Sequence, residues 1–407
     1  MPHSIPSPDI LVVEFFMDDA PLIGGGKTFL QQFIQVFGSR VAVLGLTNQK
    51  ERLGQWIVQE VEGHPIHLLV VDRPMDFRSR PLLPGRLRCY LQLRKNRDKI
   101  LSSGFSTALV TSPEYLIAVH DWGWSDLCFL FQGVENPLRR SRYPGGRFLA
   151  SYFDRRLFRA LRSCNTILAH ADEKAIEGLC RRSRGSLSPD RVHSIPTFAD
   201  TSIFRPMDLA EARNMLGALP DIPLFVSVGR LNRVKGWRLI LDAFSRVLAQ
   251  IPEAQLLFVG DGEDRSAMER AIAEAGLGAA VAITGAVDAK TVALYLNASN
   301  VFICGSWYEG WSYAFVEALS CGIPIVSTDV SGASSMIVNG RNGFIVQRRD
   351  PSAFANAMLD ALALENAKIV SLQIAEQYSL NHMKERLRQL WKPLQIDPEL
   401  STLSGQK

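Results

Sequence analysis

The sequence has no C-x-x-C pair, no D-x-D triplet, no heptad run and no low-complexity tract, and each absence narrows the field. Its six cysteines (Cys89, Cys128, Cys164, Cys180, Cys304 and Cys321) are scattered, which argues against a zinc site and against a disulfide framework. They are expected to be reduced thiols. Without D-x-D, the common carboxylate pair that holds a metal against a diphosphate is missing. Met1-Pro2-His3-Ser4 carries no basic stretch and runs into the short apolar segment Ile10–Phe16. That segment is too brief for a signal-peptide core or a spanning helix, so a cytoplasmic location without a membrane span is expected. Gly24-Gly25-Gly26-Lys27-Thr28 suggests a P-loop, but the pattern needs glycine at position 21, which is Pro21.

What is present is an ordinary globular composition, 47% apolar and 21% charged over 407 residues, which favours two domains, each able to bury its own core. The net charge of +4 hides an asymmetry. Residues 1–205 carry 27 Lys+Arg against 20 Asp+Glu, and the remainder 18 against 21. The excess sits in Arg73–Lys99, with nine cations, and in Arg139–Arg162, with eight arginines and Asp154 as the lone acid. Apolar residues interleave both, as in Cys89-Tyr90-Leu91 and Phe148-Leu149-Ala150 with Tyr152-Phe153. Such segments suit an anionic membrane surface or an acidic acceptor. A solvated helix face whose arginine stems cover apolar surface fits equally well. Nucleic acid is not expected as a partner, because no recognition motif accompanies the charge and the pI is only 8.7.

Short β-branched runs alternate with longer periodic segments, the pattern of parallel sheets covered by helices. Strands are expected at Ile10–Phe16, Val41–Leu46, His67–Val71, Ala108–Thr111, Cys128–Phe131, Thr166–Ala169 and Val192–Ile195. A second set follows at Leu224–Val228, Gln255–Val259, Val281–Thr284, Val301–Cys304, Ile323–Ser327 and Gly343–Val346. Periodicity lapses between Ile195-Pro196 and Phe204-Arg205-Pro206, which places a hinge near residues 200–222. Gln373–Leu390 reads as one amphipathic helix returning to the first domain.

Two segments carry chemistry. Leu224–Val228 is followed by Gly229-Arg230-Leu231 and Lys235-Gly236, putting two cations just past the end of a strand, where open α/β sheets bind ligands. Arginine offers a planar fork and lysine a compact charge, so together they can neutralise a departing diphosphate as a metal would. The second segment is Ser306-Trp307-Tyr308-Glu309-Gly310-Trp311-Ser312-Tyr313-Ala314-Phe315-Val316-Glu317-Ala318-Leu319. Gly310 allows a tight turn and Ser312 is placed to cap a helix whose surroundings are apolar apart from Glu317. A carboxylate there needs solvent or a partner, and the paired hydroxyls of a ribose would satisfy it.

The ordered set Gly229-Arg230, Lys235-Gly236, Gly260-Asp261-Gly262, Glu309 with Glu317, Cys321-Gly322-Ile323-Pro324 and Asn342-Gly343-Phe344 resembles the retaining family-4 glycosyltransferases of the GT-B type. The match covers most of residues 220–350. The resemblance implies two Rossmann-like, doubly wound α/β domains facing each other across a cleft, with a C-terminal helix crossing back. Residues 1–205 with helix 373–392 would bind the acceptor, and residues 206–372 the donor. By the same resemblance Arg230 and Lys235 hold the donor diphosphate, Glu317 the ribose, and Glu309 lies beside the transferred sugar. Gly229, Gly310, Trp311, Ser312 and Tyr313 complete that site, with Gly25 and Gly26 approaching the phosphates from the first domain. Gly24, His120 and Gln132 are candidates on the acceptor and sugar side.

Two departures stand out. The strand ending at Phe131 continues as Gln132-Gly133, where many relatives have histidine. Ser312 stands where a second glycine is common. The implied reaction is metal-independent hexosyl transfer from a UDP- or GDP-sugar to a glycan or lipid-linked acceptor with retention of configuration. No cofactor is expected. Polysaccharide or lipopolysaccharide assembly at the inner face of a membrane is the implied setting. A nucleotide-sugar epimerase on the same plan and a non-catalytic nucleotide-binding scaffold are the alternatives.

Overall fold

The computed structural model describes residues 8–17, 25–73, 85–140, 145–217 and 222–395. The chain divides into two compact units, one of residues 1–195 with 383–407, the other of residues 196–382.

The first unit is built on strands β1 (Ile10–Met17), β2 (Val41–Leu46), β3 (Trp56–Val61), β4 (His64–Asp72), β5 (Thr107–Val110), β6 (Asp126–Phe131), β7 (Thr166–Ala169) and β8 (His193–Ser194). They form one sheet in the order β3-β4-β2-β1-β5-β6-β7-β8. All neighbours pair in parallel except β3 and β4, an antiparallel hairpin closed by Glu62 and Gly63, both at positive φ. β2 and β7 are buried along their whole length, as parallel strands covered on both faces must be. β1 and β5 flank the point at which strand order reverses. The loop after β1, residues 18–24, lies outside the described residues, so nothing follows for Gly24.

The second unit carries β9 (Leu224–Val228), β10 (Gln255–Val259), β11 (Val281–Gly285), β12 (Val301–Cys304), β13 (Ile325–Thr328) and β14 (Gly343–Val346). All six are parallel, in the order β11-β10-β9-β12-β13-β14. Here the order reverses between β9 and β12, which makes the loops following those two strands the place where a ligand fits.

Both units are therefore α/β with parallel sheets, as the resemblance implies. The boundary between them falls at Ile195/Pro196, earlier than the expected junction at 205/206. The cause is packing: Ala199 and Phe204 are buried in the second unit's core, against Val226 and Phe302. The single helix expected over Gln373–Leu390 is instead two, Ala367–Ala375 and Leu380–Leu390, with a short 3-10 turn between them. The Tyr378 carbonyl accepts a hydrogen bond from Ala199 N at 2.9 Å, and Ser379 is extended, so the helix cannot run through. Beyond it, Trp391 is fully buried in the first unit, where its indole Nε1 donates to Asp126 at 2.8 Å. All six cysteines are free, and five are buried.

Candidate active site

The loop leaving β9 is shaped by glycine. Gly229 has φ of 141°, and a Cβ there would touch the Lys235 stem at 3.4 Å. Gly236 has φ of 67°, and a Cβ would stand 1.7 Å from the carbonyl oxygen of Gly305, which no side chain permits. The β9 and β12 loops thus touch backbone to backbone at Gly236 and Gly305. Asn232 steadies the turn by accepting a hydrogen bond from Lys235 N at 3.2 Å.

That close approach delivers Lys235 to Glu309. The ammonium donates to Glu309 Oε1 at 2.7 Å, and Ser306 Oγ donates to the same oxygen at 2.6 Å. The Ser306 carbonyl in turn accepts Arg349 Nη1 at 2.8 Å and Thr328 Oγ1 at 2.6 Å, and Arg349 stacks its guanidinium 3.9 Å from the Trp307 ring centre. Burial works to lower the Lys235 pKa, but Glu309, with Cys304 and Glu317, outweighs it and the net shift is upward. Lys235 therefore stays cationic. Glu309 has its Oε1 occupied by two donors, so it is held in place rather than free to swing.

Glu317 lies in the helix Tyr313–Cys321, which follows β12 and its loop. Its carboxyl accepts no hydrogen bond among the described residues. Burial raises its pKa to about 7, and Lys235 is the charge that opposes the rise. Tyr313, one turn earlier, has its own pKa pushed up by burial and by Glu317. Ser312 does occupy the N-cap position, yet its side chain makes no capping hydrogen bond, and the first N–H groups of the helix are left without a side-chain acceptor. A helix N-terminus in this state favours an anion or a polarised hydroxyl.

Arg230 lines the same hollow as Gly229, Asn232, Lys235 and Trp237, but its guanidinium is largely exposed and donates to Glu263 at 3.1 Å. Of the four charged residues singled out in the sequence, Lys235 and Glu309 therefore meet directly and Glu317 lies within reach of the lysine charge. Arg230 shares the loop and is drawn to a carboxylate on the β10 loop. Gly310 does not take the left-handed backbone; Gly229, Gly236 and Gly260 do. Trp311 packs its ring beside Tyr378, 6.4 Å between centroids, and over Gly332. Its indole N–H is buried without a partner among the described residues.

On the first unit, Gly25 and Gly26 open the helix Gly25–Phe37. Gln132 follows β6 at its carboxyl end, and its amide nitrogen is buried without an acceptor among the described residues. His120 is elsewhere. It ends the helix Pro113–Val119, whose C-terminus lies toward the amino end of β6. Burial lowers its pKa; Asp121 opposes this, while Arg156, Arg94 and Arg159 add to it. In a parallel sheet that is the edge opposite to the ligand-binding one, so His120 is set aside as a sugar contact.

Ser306, Asn232, Glu263, Thr328 and Arg349 were missed by sequence reasoning. Only Asn232, two residues after the Gly-Arg pair and three before Lys235, carried a signal, since asparagine at such a spacing often caps a turn.

A parallel α/β unit with glycine-shaped loops at its switch point has the architecture of one half of a GT-B fold. Residues 210–377 match the family model for glycosyl transferases group 1. The D-inositol 3-phosphate glycosyltransferase 2 of Catenulispora acidiphila is 27% identical over 209 residues, 49% of this chain and 48% of that protein. The chain spans about half the length of the first curated relatives it matches. Among solved structures, sucrose-phosphate synthase from Thermosynechococcus elongatus aligns with TM-score 0.77 at 19% identity, covering 95% of this chain and 99% of that one. The Anabaena protein HepE in complex with UDP-glucose aligns with TM-score 0.70 at 16% identity, covering 93% and 98%. At such identities the likeness is one of fold.

Proposed function

We propose that the protein transfers a hexose-type sugar from a nucleoside-diphosphate sugar to a glycan or lipid-linked acceptor, with retention of anomeric configuration and without a metal. The observation that carries this is the convergence of Lys235, Glu309 and Glu317 at the switch point of the second sheet. Lys235 binds the diphosphate and stabilises it as it departs with added negative charge. Arg230 leaves Glu263 to add its planar fork to the same phosphates. Glu317 accepts the two ribose hydroxyls, which supplies the partners its carboxyl lacks. Glu309, pinned by Lys235 and Ser306, orients the sugar hydroxyls and supports the positive charge that develops at the anomeric carbon; it is not assigned as a nucleophile. The N–H groups opening the Tyr313–Cys321 helix and the backbone at Gly229, Gly310, Trp311 and Ser312 face the donor.

UDP- and GDP-sugars are the proposed donors. The complex of HepE, a protein of the same fold, with UDP-glucose supports the first. The setting is assembly of a surface polysaccharide or lipopolysaccharide on the cytoplasmic face of a membrane. A thermal-shift panel of UDP, GDP and ADP with their sugars tests the donor, since a ligand at ~100 times its Kd adds about 2.7 kcal/mol of apparent stability. No shift from any nucleotide overturns the donor site. Epimerisation of the donor without acceptor favours the epimerase, and activity lost in EDTA and restored by magnesium ends the metal-free reading.

A further inference from the structure

The basic first unit exposes an apolar tip that its own arginines do not cover. Phe148 is 78% exposed, and Leu149 and Tyr152 are each 58% exposed. They sit in the 3-10 turn Gly146–Leu149 and at the start of the helix Ala150–Ala160. Along that helix the exposed positions Tyr152, Arg155 and Arg159 recur at helical spacing, so one stripe runs from an apolar end into a cationic one. The opposite stripe, with Asp154, Leu157 and Phe158, is buried.

The charge on this face is of one sign because its single acid is turned inward. Asp154 pairs with the Arg182 guanidinium at 3.2 Å, within the unit. Arg155 and Arg159 meet no carboxylate among the described residues. Arg147 lies 5.4 Å from the Phe148 ring centre, yet leaves that ring open to solvent. The arginine stems therefore leave Phe148 and Tyr152 uncovered.

A second stripe lies on another helix of the same unit. The helices Gly85–Lys95 and Ala150–Ala160 both pack against the Pro113–Val119 helix. On the former, Leu87 and Leu91 are 44% and 49% exposed, one turn apart, with Arg94 and Lys95 following. Arg94 is paired with Asp121 at 3.1 Å, and the charges of Asp121, Arg156, Arg94 and Arg159 all act on His120, which places the ends of the two helices around one spot where arginines outnumber the acid. No helix among the described residues is long and apolar enough to cross a bilayer.

We infer that Phe148, Leu149 and Tyr152 insert into an anionic lipid surface while Arg147, Arg155 and Arg159 pair with its headgroups, docking the first unit on a membrane. Aromatic side chains with a ring of arginines suit the headgroup boundary, where apolar burial and electrostatic attraction add. The inference deepens the acceptor half of the proposed function and rests on it for its purpose, but its test involves no sugar transfer.

The full chain is sedimented with vesicles of phosphatidylcholine alone and of phosphatidylcholine with phosphatidylglycerol, at low and high salt. Binding is expected only to the anionic vesicles and should weaken with salt. Replacing Phe148, Leu149 and Tyr152 together by serine should weaken it at least about tenfold. Arg155→Ala combined with Arg159→Ala should weaken it about thirtyfold, because each arginine near an anionic surface contributes its own attraction and two are removed. Both variants should keep the wild-type melting temperature and nucleotide-induced shift, which separates loss of docking from misfolding and from failure of the donor site. Equal binding to neutral vesicles, or no binding to anionic ones, overturns the inference. So does a triple-serine variant that binds like wild type, since insertion of the three apolar side chains would then contribute nothing to binding.

Discussion

The two units use one architecture differently. Each has a parallel sheet whose strand order reverses beside a central strand, β1 in the first and β9 in the second. In the second unit the loops at that point carry Lys235 and Glu309 and interlock through Gly236 and Gly305, and the family match of residues 210–377 falls entirely there. The first unit offers, past the end of β6, a buried amide at Gln132 without an acceptor among the described residues and, on its helices, an exposed basic and aromatic face. The difference teaches where chemistry is constrained. On the proposed function, a nucleoside diphosphate presents the same charges to every enzyme that uses one, so the residues meeting it would be few and ordered. Acceptors vary, and so do the surfaces that meet them.

If the second unit holds the chemistry, its lysine should matter most. Lys235→Ala is expected to lower kcat about 100-fold or more, in the range for losing one donor to a developing oxyanion. A steady-state comparison against wild type checks this, and near-normal turnover would remove the contrast between the units. Arg230→Ala should cost less, about tenfold, because that side chain is exposed and must first leave Glu263.

Glu317→Ala should act on binding instead. Charge-assisted hydrogen bonds of a carboxylate to two hydroxyls contribute about 1.5–3 kcal/mol, so the donor KM should rise about tenfold or more with kcat less affected. An unchanged donor KM would show that the helix carboxylate does not meet the ribose.

The same residue gives a pH signature. Its folded pKa, about 7, is raised above the ordinary carboxyl value of 4.5, so the folded state holds a proton the unfolded chain releases. Stability should therefore fall as pH rises from about 4.5 to about 7. Nucleotide affinity should move the opposite way and strengthen through about pH 7, because the ionised carboxylate is the better acceptor. Glu317→Gln should flatten both trends. Melting curves and nucleotide titrations across about pH 5 to about 8 read them, and a persistent slope in the variant would assign the titration elsewhere.

How much of this was legible depends on how local the cause was. Fully buried parallel strands such as β2, β7 and β12 announce themselves as apolar runs, and the sequence places their bounds at the observed residues. β3 escaped because it is an edge strand with one buried residue in six, joined to β4 by Glu62-Gly63 rather than by the commoner Asn-Gly or Asp-Gly. The site's charged residues were readable from order and spacing. Their supports were not: Ser306 holds Glu309, and Thr328 and Arg349 hold the Ser306 carbonyl, only because three separate strand ends come together. The break before Leu380 was equally invisible, since it depends on the distant Ala199 N–H.

The smallest expected effect tests the first unit. Gln132 stands at the carboxyl end of β6, and its amide nitrogen is buried without an acceptor among the described residues, a state that costs about 1–3 kcal/mol unless a ligand oxygen completes it. A hydroxyl of the acceptor or of the transferred sugar would do so. Gln132→Leu keeps the volume and removes the donor, so it should raise the acceptor KM about fivefold while leaving the donor KM and the nucleotide-induced thermal shift at wild-type values. It should also stabilise the free protein slightly, because an unsatisfied polar group is replaced by an apolar one. Loss of stability would mean that the amide is satisfied within the fold. A rise in donor KM would move Gln132 to the nucleotide side and blur the division of labour between the two sheets.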